Sequence, residues 1–442
     1  MERQTADRIN ARSFAWQAMS GDLELIKDLM GGTSTMRAAG LRWLPRERAE
    51  SWPAWRARLH RTVLFNGFAR TIQALSGKPF MKPIYLSETA APEMLALAKN
   101  MNGQGQTLSE FAHRLLQLLL RDGLAHILLD RPRSGGAPYF ILQPAENLIG
   151  SRLDSADGLQ DIRLSSTAIQ PVGQFGERQS ELIRRFTADS WEVWMPQAGS
   201  DDHWNLTASG THNLGAVPLI TMNVNATGHM MARPPLLDLA WLNLAHWQSS
   251  SDQRHILHVA RVPILFGRAM QIGDEQLDIG PNRLIMADDP ASDLKFVEHS
   301  GAAIAAGRQD LIDLEDRMAV MGLEMLTNQP GQITATAKAI DSAQNHAALT
   351  GILQVLEDGL LRAFKMAAQW LGLAEECVGD VIISKRWQMT DEKTALADWL
   401  LKARLAGEIS AERFLVEVER AGVLGPANGD QNNDKIKSGA KL

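Results

Sequence analysis

The stretch MLTNQPGQITATAKAI, residues 325–340, separates two runs that each carry a helical pattern. Upstream, GAAIAAGRQDLIDLEDRMAVMGLEML (301–326) sets Ile304, Leu311, Leu314, Met318 and Met321 or Met325 at helical spacing. Downstream, the longest helical pattern of the chain runs from about Thr334 to Leu373, with Ile340, Leu349, Leu353, Leu356, Leu360 and Phe364 on or near one stripe. Pro330 cannot donate to a helix ladder and Gly331 loosens the backbone, so the two runs are separate helices. Between Asn328 and Ala337 there is no Lys or Arg, and the polar groups on offer are the neutral Asn328, Gln329, Gln332, Thr334 and Thr336. Gly351 and Gly359 lower the helix propensity of the downstream run and predict a bend there.

Working back from this break, Pro234 and Pro235 open LLDLAWLNLAHWQSSSDQRHILHVARV (236–262), readable as one helix of roughly 27 residues and about 40 Å. Its first half, with Trp241 and Trp247, is apolar almost all round, which suits burial against another surface, whereas QSSSDQRH in its middle is polar. The helix is therefore expected to pass from one environment into another. Three short strand patterns follow, VPILFG, NRLIMADD and LKFVEH, with the polar GDEQLD after the first.

The chain before Pro234 changes period once. Residues 1–123 read mainly as helix: WRARLHRTVLFNGFARTIQAL (55–75) places Leu59, Val63, Phe68, Ile72 and Leu75 at helical spacing, and Gly77 with Pro79 ends it. Thr107 and Glu110 have capping-box spacing before the apolar run Leu115 to Leu120, and Gly123 is a stop. From Ala125 the pattern turns to strands: AHILLD and PYFILQ flank the turn-rich RPRSGGA, and SWEVWMP and DDHWNLT follow. Residues 125–225 thus read as a largely antiparallel sheet packed on the early helices, an α+β arrangement. Near the other end, DVIISKRW is a lone strand pattern before two helical ones, and GPANGDQNNDKIKSGAKL is too polar and glycine-rich to build a core.

Composition narrows the function classes. At 442 residues, with 45% hydrophobic and 22% charged residues, the chain suits two or three folded domains. A single cysteine, Cys377, excludes an internal disulfide and a thiolate cluster. The N-terminus is polar and no run of 18 apolar residues occurs, so neither secretion nor a membrane span is expected. A formal net charge of −6 argues against a chain that grips nucleic acid by its phosphates.

Chemistry is sparse. The phosphate-cradling GxxxxGK[ST] pattern is absent; Ser76, Gly77 and Lys78 form a fragment best read as a helix-ending turn. NGQGQ (102–106) reads as the linker before the Thr107 cap rather than a phosphate loop. His255 and His258 share a helix face, but His246 lies on the opposite side from His255, so a polar helix surface is preferred to a metal site. Ser249, Ser250 and Ser251 sit mid-helix, away from the strained turn a nucleophilic serine needs. Asp288 and Asp289 before Pro290 could be paired carboxylates for Mg²⁺ or acid/base work, the basis of an alternative reading as a Mg²⁺-dependent nuclease-like enzyme; a turn after a strand explains them more simply. No catalytic residue, metal ligand or cofactor site is assigned.

The order of parts resembles the portal proteins, or head-to-tail connectors, of tailed double-stranded DNA bacteriophages. Three stretches carry the resemblance: LPRERAESWPAWRARLHRTVLFNGFARTIQALSGKPFMKPI, PPLLDLAWLNLAHWQSSSDQRHILHVARVPILFG and AGEISAERFLVEVERAGVL. The resemblance implies an α+β, mainly helical portal fold with an antiparallel-sheet wing (1–233), a first stem helix (234–260), a small α/β clip (261–299) and a second stem helix (300–326). A tunnel loop (327–336), a long wing or crown helix with a return strand (337–388), a short helical crown (389–424) and a disordered tail (425–442) would follow. It further implies a non-enzymatic ring of about twelve subunits at one capsid vertex of the virion, assembled in the host bacterial cytoplasm without membrane contact. Double-stranded DNA would pass through its channel during packaging and ejection. The terminase large subunit, the major capsid protein, scaffold protein and the head-tail adaptor would be its partners.

Residue by residue, Asn328, Gln329, Gln332, Thr334 and Thr336 would line the DNA channel as the tunnel loop, offering only weak exchangeable contacts to a sliding polyanion. Asp310, Asp313 and Arg317 would face the channel from the stem. Arg268, Gln271, Asp274, Glu275 and Asp278 would dock terminase and adaptor on the clip. Trp241 and Trp247 would pack between subunits.

Overall fold

A computed structural model describes residues 8–132, 135–155, 158–197, 203–261, 264–268, 291–297, 302–323, 335–383, 399–405, 410 and 413–414. Their longer helices are α1 (Phe14–Met30), α2 (Thr33–Ala39), α3 (Trp52–Arg61), α4 (Gly67–Gly77), α5 (Pro92–Lys99), α6 (Leu108–Asp122), α7 (Leu237–Ala260), α8 (Ala302–Leu323) and α9 (Ala335–Leu371). The strands are β1 (Tyr85–Leu86), β2 (Leu124–Asp130), β3 (Tyr139–Pro144), β4 (Leu148–Leu153), β5 (Leu159–Val172), β6 (Gly176–Thr187), β7 (Ser190–Pro196), β8 (Trp204–Thr211), β9 (Leu219–Asn223), β10 (Ala226–Gly228), β11 (Met231–Ala232), β12 (Ile264–Arg268), β13 (Asp293–Val297) and β14 (Val381–Ile382). Among the described residues every strand pair is antiparallel, so the mixture of helices and sheets is α+β, as the change of period at Ala125 implies. The chain forms two compact units, one from residues 1–18, 73–234 and 332–442, the other from 19–72 and 235–331.

The first unit is built around α6 and β2. Thr107 Oγ1 accepts from the Glu110 N–H at 3.3 Å while the Glu110 carboxylate accepts from the Thr107 N–H at 2.9 Å, the reciprocal cap read from the sequence. The apolar run of α6 is buried, and Phe140 of β3 bridges Phe111 of α6 and Phe364 of α9, with ring centroids 6.2 and 5.8 Å apart. β2 lies at the centre of the order β3-β2-β9 and is buried along almost its whole length, which suits a sequence apolar but for His126 and the terminal Asp130. Leu128 joins Leu148, Ile162, Leu164, Phe186 and Leu219 in a core shared with the second sheet, a meander in the order β4-β5-β6-β7-β8.

His126, also on β2, is fully buried; its Nδ1 lies 2.9 Å from Thr221 Oγ1 and its Nε2 has no hydrogen-bond partner. Burial pushes its pKa down to about 3.

Gly123 ends α6 with φ 72°, its N–H donating to the Leu119 carbonyl at 2.9 Å. A Cβ there would stand 2.7 Å from the backbone oxygen of Arg233. Gly123→Ala therefore combines a left-handed backbone with a clash that no side chain can relieve. We expect a loss of about 2 kcal/mol, read as a lower thermal midpoint; an unchanged midpoint would refute the close approach.

Sequence and structure part company at particular elements. Residues 55–75 form α3 and α4 with an extended connection, not one helix. Asn66 Oδ1 caps α4 by accepting from the Ala69 N–H at 3.0 Å, and Arg37 Nη2 holds the Thr62 carbonyl at 2.8 Å. Val63, counted in the apolar stripe, is 44% exposed. DVIISKRW is not a lone strand: Val381 and Ile382 pair with Leu86 and Tyr85. α9 continues as helix through Gly351 and Gly359, and a Cβ on Gly359 would collide with the Met222 side chain, so that glycine serves close packing. The predicted strand NRLIMADD and the terminal segment 425–442 lie outside the described residues, whereas VPILFG and LKFVEH supply β12 and β13, paired from Ile264↔Val297 to Arg268↔Asp293.

Candidate functional site: the helix pair and its cleft

In the second unit, α7 leaves, β12 and β13 pair, and α8 returns. His246 Nε2 lies 3.2 Å from Glu315 Oε1, Ser249 Oγ donates to Asp310 Oδ2 at 2.5 Å, and Gln253 Nε2 donates to the Ile304 carbonyl at 2.9 Å. Numbers rise on α7 as they fall on α8, so the helices are antiparallel. Gly307 lets Gln253 approach, because a Cβ there would overlap the Gln253 side chain. Leu314 and Met318 supply the apolar part of the seam. Its polar character is the surprise: the serines and glutamine of QSSSDQRH were expected at a change of environment, yet Ser250, Ser251 and Gln253 are buried.

The partner of the buried Ser251 comes from an early helix. Arg58 of α3, 5% exposed, donates to both carboxylate oxygens of Glu50 at 2.8 and 2.9 Å, to the Pro45 carbonyl at 2.9 Å, and to Ser251 Oγ and Asp252 Oδ1 at 3.3 Å each. The guanidinium hydrogen bond holds the Glu50 carboxyl below the usual range, while burial pushes Asp252 up. Asn243, fully buried, accepts from the Phe68 N–H at 2.9 Å and donates to the Phe65 carbonyl at 2.8 Å, anchoring the start of α4 on α7.

Beside this network lies a cleft of about 700 Å³, bounded by residues 61–65, the second half of α7 and α8. Arg61, Arg254, Arg261, His246 and His258 line it against one carboxylate among the described residues, Glu315, with Phe65, Leu257 and Leu311 among its apolar walls.

Residues 235–371 match a family described as a domain of unknown function, DUF4055. The matched region holds α7, β12, β13, α8 and α9. No curated protein matches the chain. Among solved structures, the neck of an empty GTA particle computed with C6 symmetry is similar at TM-score 0.45 and 13% identity, over 79% of this chain and 89% of that one. The virion of the native gene transfer agent (GTA) particle gives 0.43 and 12%, over 88% and 99%. The neck of the native particle computed with C12 symmetry gives 0.44 and 14%, over 87% and 98%.

Within the DUF4055 region the sequence-predicted residues fare unequally. Trp247 is corrected: expected between subunits, it is 0% exposed within the single chain, on the packed side of α7. Trp241, 47% exposed, keeps a free face. Asp310, Asp313 and Arg317 are exposed on α8; Asp310 is held by Ser249 and Asp313 accepts from Gln309 at 2.7 Å. Arg268 is exposed at the end of β12, paired with Asp293. Gln271, Asp274, Glu275 and Asp278, the pair Asp288 and Asp289, and Asn328, Gln329, Gln332 and Thr334 lie outside the described residues. Thr336 falls in the first turn of α9, inside the helix rather than in a loop.

His246 and His258 share the cleft, which the helical-wheel argument did not anticipate, and His255 Nδ1 lies 3.4 Å from Arg61 Nη2. Among the described residues no group of three or more His, Cys, Asp or Glu could hold a metal, and no helix is long and apolar enough to cross a membrane. Sequence reasoning missed Arg58 and the cationic lining of the cleft. The second had a signal: Arg254, Leu257, His258 and Arg261 recur at i, i+3, i+4 and i+7, one face of α7.

Proposed function

We propose that the chain is a portal: a ring-forming conduit at one capsid vertex that passes double-stranded DNA and docks first terminase and then the head-tail adaptor. The observation that carries this reading is the out-and-back excursion of the second unit, in which two long antiparallel helices flank a small antiparallel strand pair. That is the order of stem, clip and stem, and the polar, cation-free stretch 327–336 follows it in sequence. Asp310, Asp313 and Asp316 on exposed positions of α8 outnumber Arg308 and Arg317, which suits a wall that repels rather than grips a polyanion. In this reading residues 327–334 project into the channel, the β12–β13 end meets terminase and adaptor, capsid and scaffold proteins surround the ring, and Trp241 contacts a neighbouring subunit.

Negative-stain electron microscopy of the purified protein, with mass by light scattering, tests the proposal. Rings with a central hole and a mass about twelve times 48.7 kDa are expected. A monomer that stays compact at micromolar concentration, also in the presence of scaffold protein, would overturn it.

A further inference from the structure

The cleft beside α7 joins exposed cations to apolar surface. Arg254, His258 and Arg261 follow one another along one face of α7, and all three are exposed; Arg61 approaches from the end of α3. Glu315, the carboxylate of the lining, already lies 3.2 Å from His246 Nε2, and among the described residues neither Arg254 nor Arg261 forms an ion pair. Phe65, 43% exposed, and the half-buried Leu257 and Leu311 leave apolar surface beside the guanidinium groups. Guanidinium forks take carboxylate oxygens in pairs, so the cleft suits an acidic side chain flanked by aliphatic ones.

α8 carries that combination on another of its sides. Ile312, Asp316 and Val320 recur at i, i+4 and i+8 as one exposed stripe, with Ile312 38% and Val320 39% exposed. Among the described residues Asp316 forms no ion pair. Ile312 and Asp316 each follow a residue that lines the cleft, Leu311 and Glu315, and so lie about 100° further round the helix. The stripe therefore cannot fill the cleft of its own chain. Its length matches the cleft all the same: the rise from Ile312 to Val320 is about 12 Å and that from Arg254 to Arg261 about 10 Å. Asp310, Asp313 and Arg317 lie further round α8 still and remain for the channel wall. Unlike charges and apolar patches on two different sides of one helix pair meet the needs of a heterologous contact, in which each copy gives its stripe to one neighbour and its cleft to the other.

We propose that the cleft receives α8 of a second copy of this chain. The Asp316 carboxylate of one copy meets Arg254 and Arg261 of the next, and Ile312 and Val320 pack on Phe65 and Leu257. The contact rests on the ring reading and names the side chains that join neighbouring subunits.

Light scattering of the full chain across a concentration series, with negative-stain images alongside, tests it. Asp316→Arg and Arg254→Glu, both at exposed positions, should each raise the concentration at which rings half-assemble by about tenfold or more. Asp316→Asn, nearly unchanged in shape, should give a smaller shift in the same direction. Combining Asp316→Arg with Arg254→Glu reverses both charges and should bring half-assembly back toward the parent value. Rings that form as readily in either charge-reversed variant would overturn the contact and leave the ring reading in place, as would a combined variant no better than the single ones. A parent chain that forms no ring, also in the presence of scaffold protein, would overturn both.

Discussion

Arg58→Ala is expected to lower the stability of the second unit by about 3–5 kcal/mol, enough to move its thermal midpoint by many degrees. Arg58 is 5% exposed and Glu50, whose side chain is 10% exposed, loses both charge-assisted hydrogen bonds when the guanidinium is removed. The Pro45 carbonyl and Ser251 Oγ lose their donor at the same time. Most of the penalty is the cost of stranding a carboxylate, not the intrinsic worth of the pair, so Arg58→Met combined with Glu50→Leu should recover much of it. Thermal unfolding of the two variants followed by circular dichroism decides the matter. A single variant within about 1 kcal/mol of the parent would mean that water reaches Glu50 freely. The same pair sets an acid limb. The folded-state pKa of Glu50 is depressed, so its stabilisation is present above the unfolded value and is lost as pH falls through the folded one.

His126 produces a second acid limb in the first unit, and a larger one. Its folded pKa of about 3 lies below the unfolded value of 6.5, so the fold holds the neutral ring while the unfolded chain takes up a proton below pH 6.5. Stability is therefore complete above pH 6.5 and declines steadily as pH falls toward 3. By pH 4.5 the loss is about 2.7 kcal/mol, at about 1.4 kcal/mol per pH unit. His126→Gln, which keeps a polar group toward Thr221, should flatten this limb while costing some stability at neutral pH. Denaturant midpoints at pH 7 and pH 4.5 measure both effects. A parent and variant with the same pH dependence would show that the histidine is solvated or ion-paired in the fold.

The elements that could be read from sequence are those whose pattern is local. The capping box at Thr107 and Glu110 and the stop at Gly123 each depend on neighbours a few residues away, and the structure has both. The candidate site was less legible because its chemistry is assembled from distant segments. Arg58 looks like any basic residue on an amphipathic helix until Glu50, Ser251 and Asp252 surround it. The middle of α7 looked like a solvent-facing stretch because side-chain polarity does not say whether partners exist. Asn243, His246, Ser251 and Gln253 are buried because α3, α4 and α8 bring them hydrogen bonds. Trp247 was misplaced for the converse reason: an apolar face suited to a neighbour suits the chain's own core equally well.

The polar seam between α7 and α8 also has a mechanical meaning. Apolar helix faces attract without regard to register, so a pair joined only by them can shear by small steps at little cost. Here the rungs His246–Glu315, Ser249–Asp310 and Gln253–Ile304 are directional, and Gly307 admits Gln253 at one height only. Sliding by a single helical turn, about 5.4 Å, would part all three rungs together and drive the Gln253 side chain against a residue with a Cβ. The two helices are keyed like a toothed rack, and a thrust along their common axis travels from one to the other as through a rigid strut.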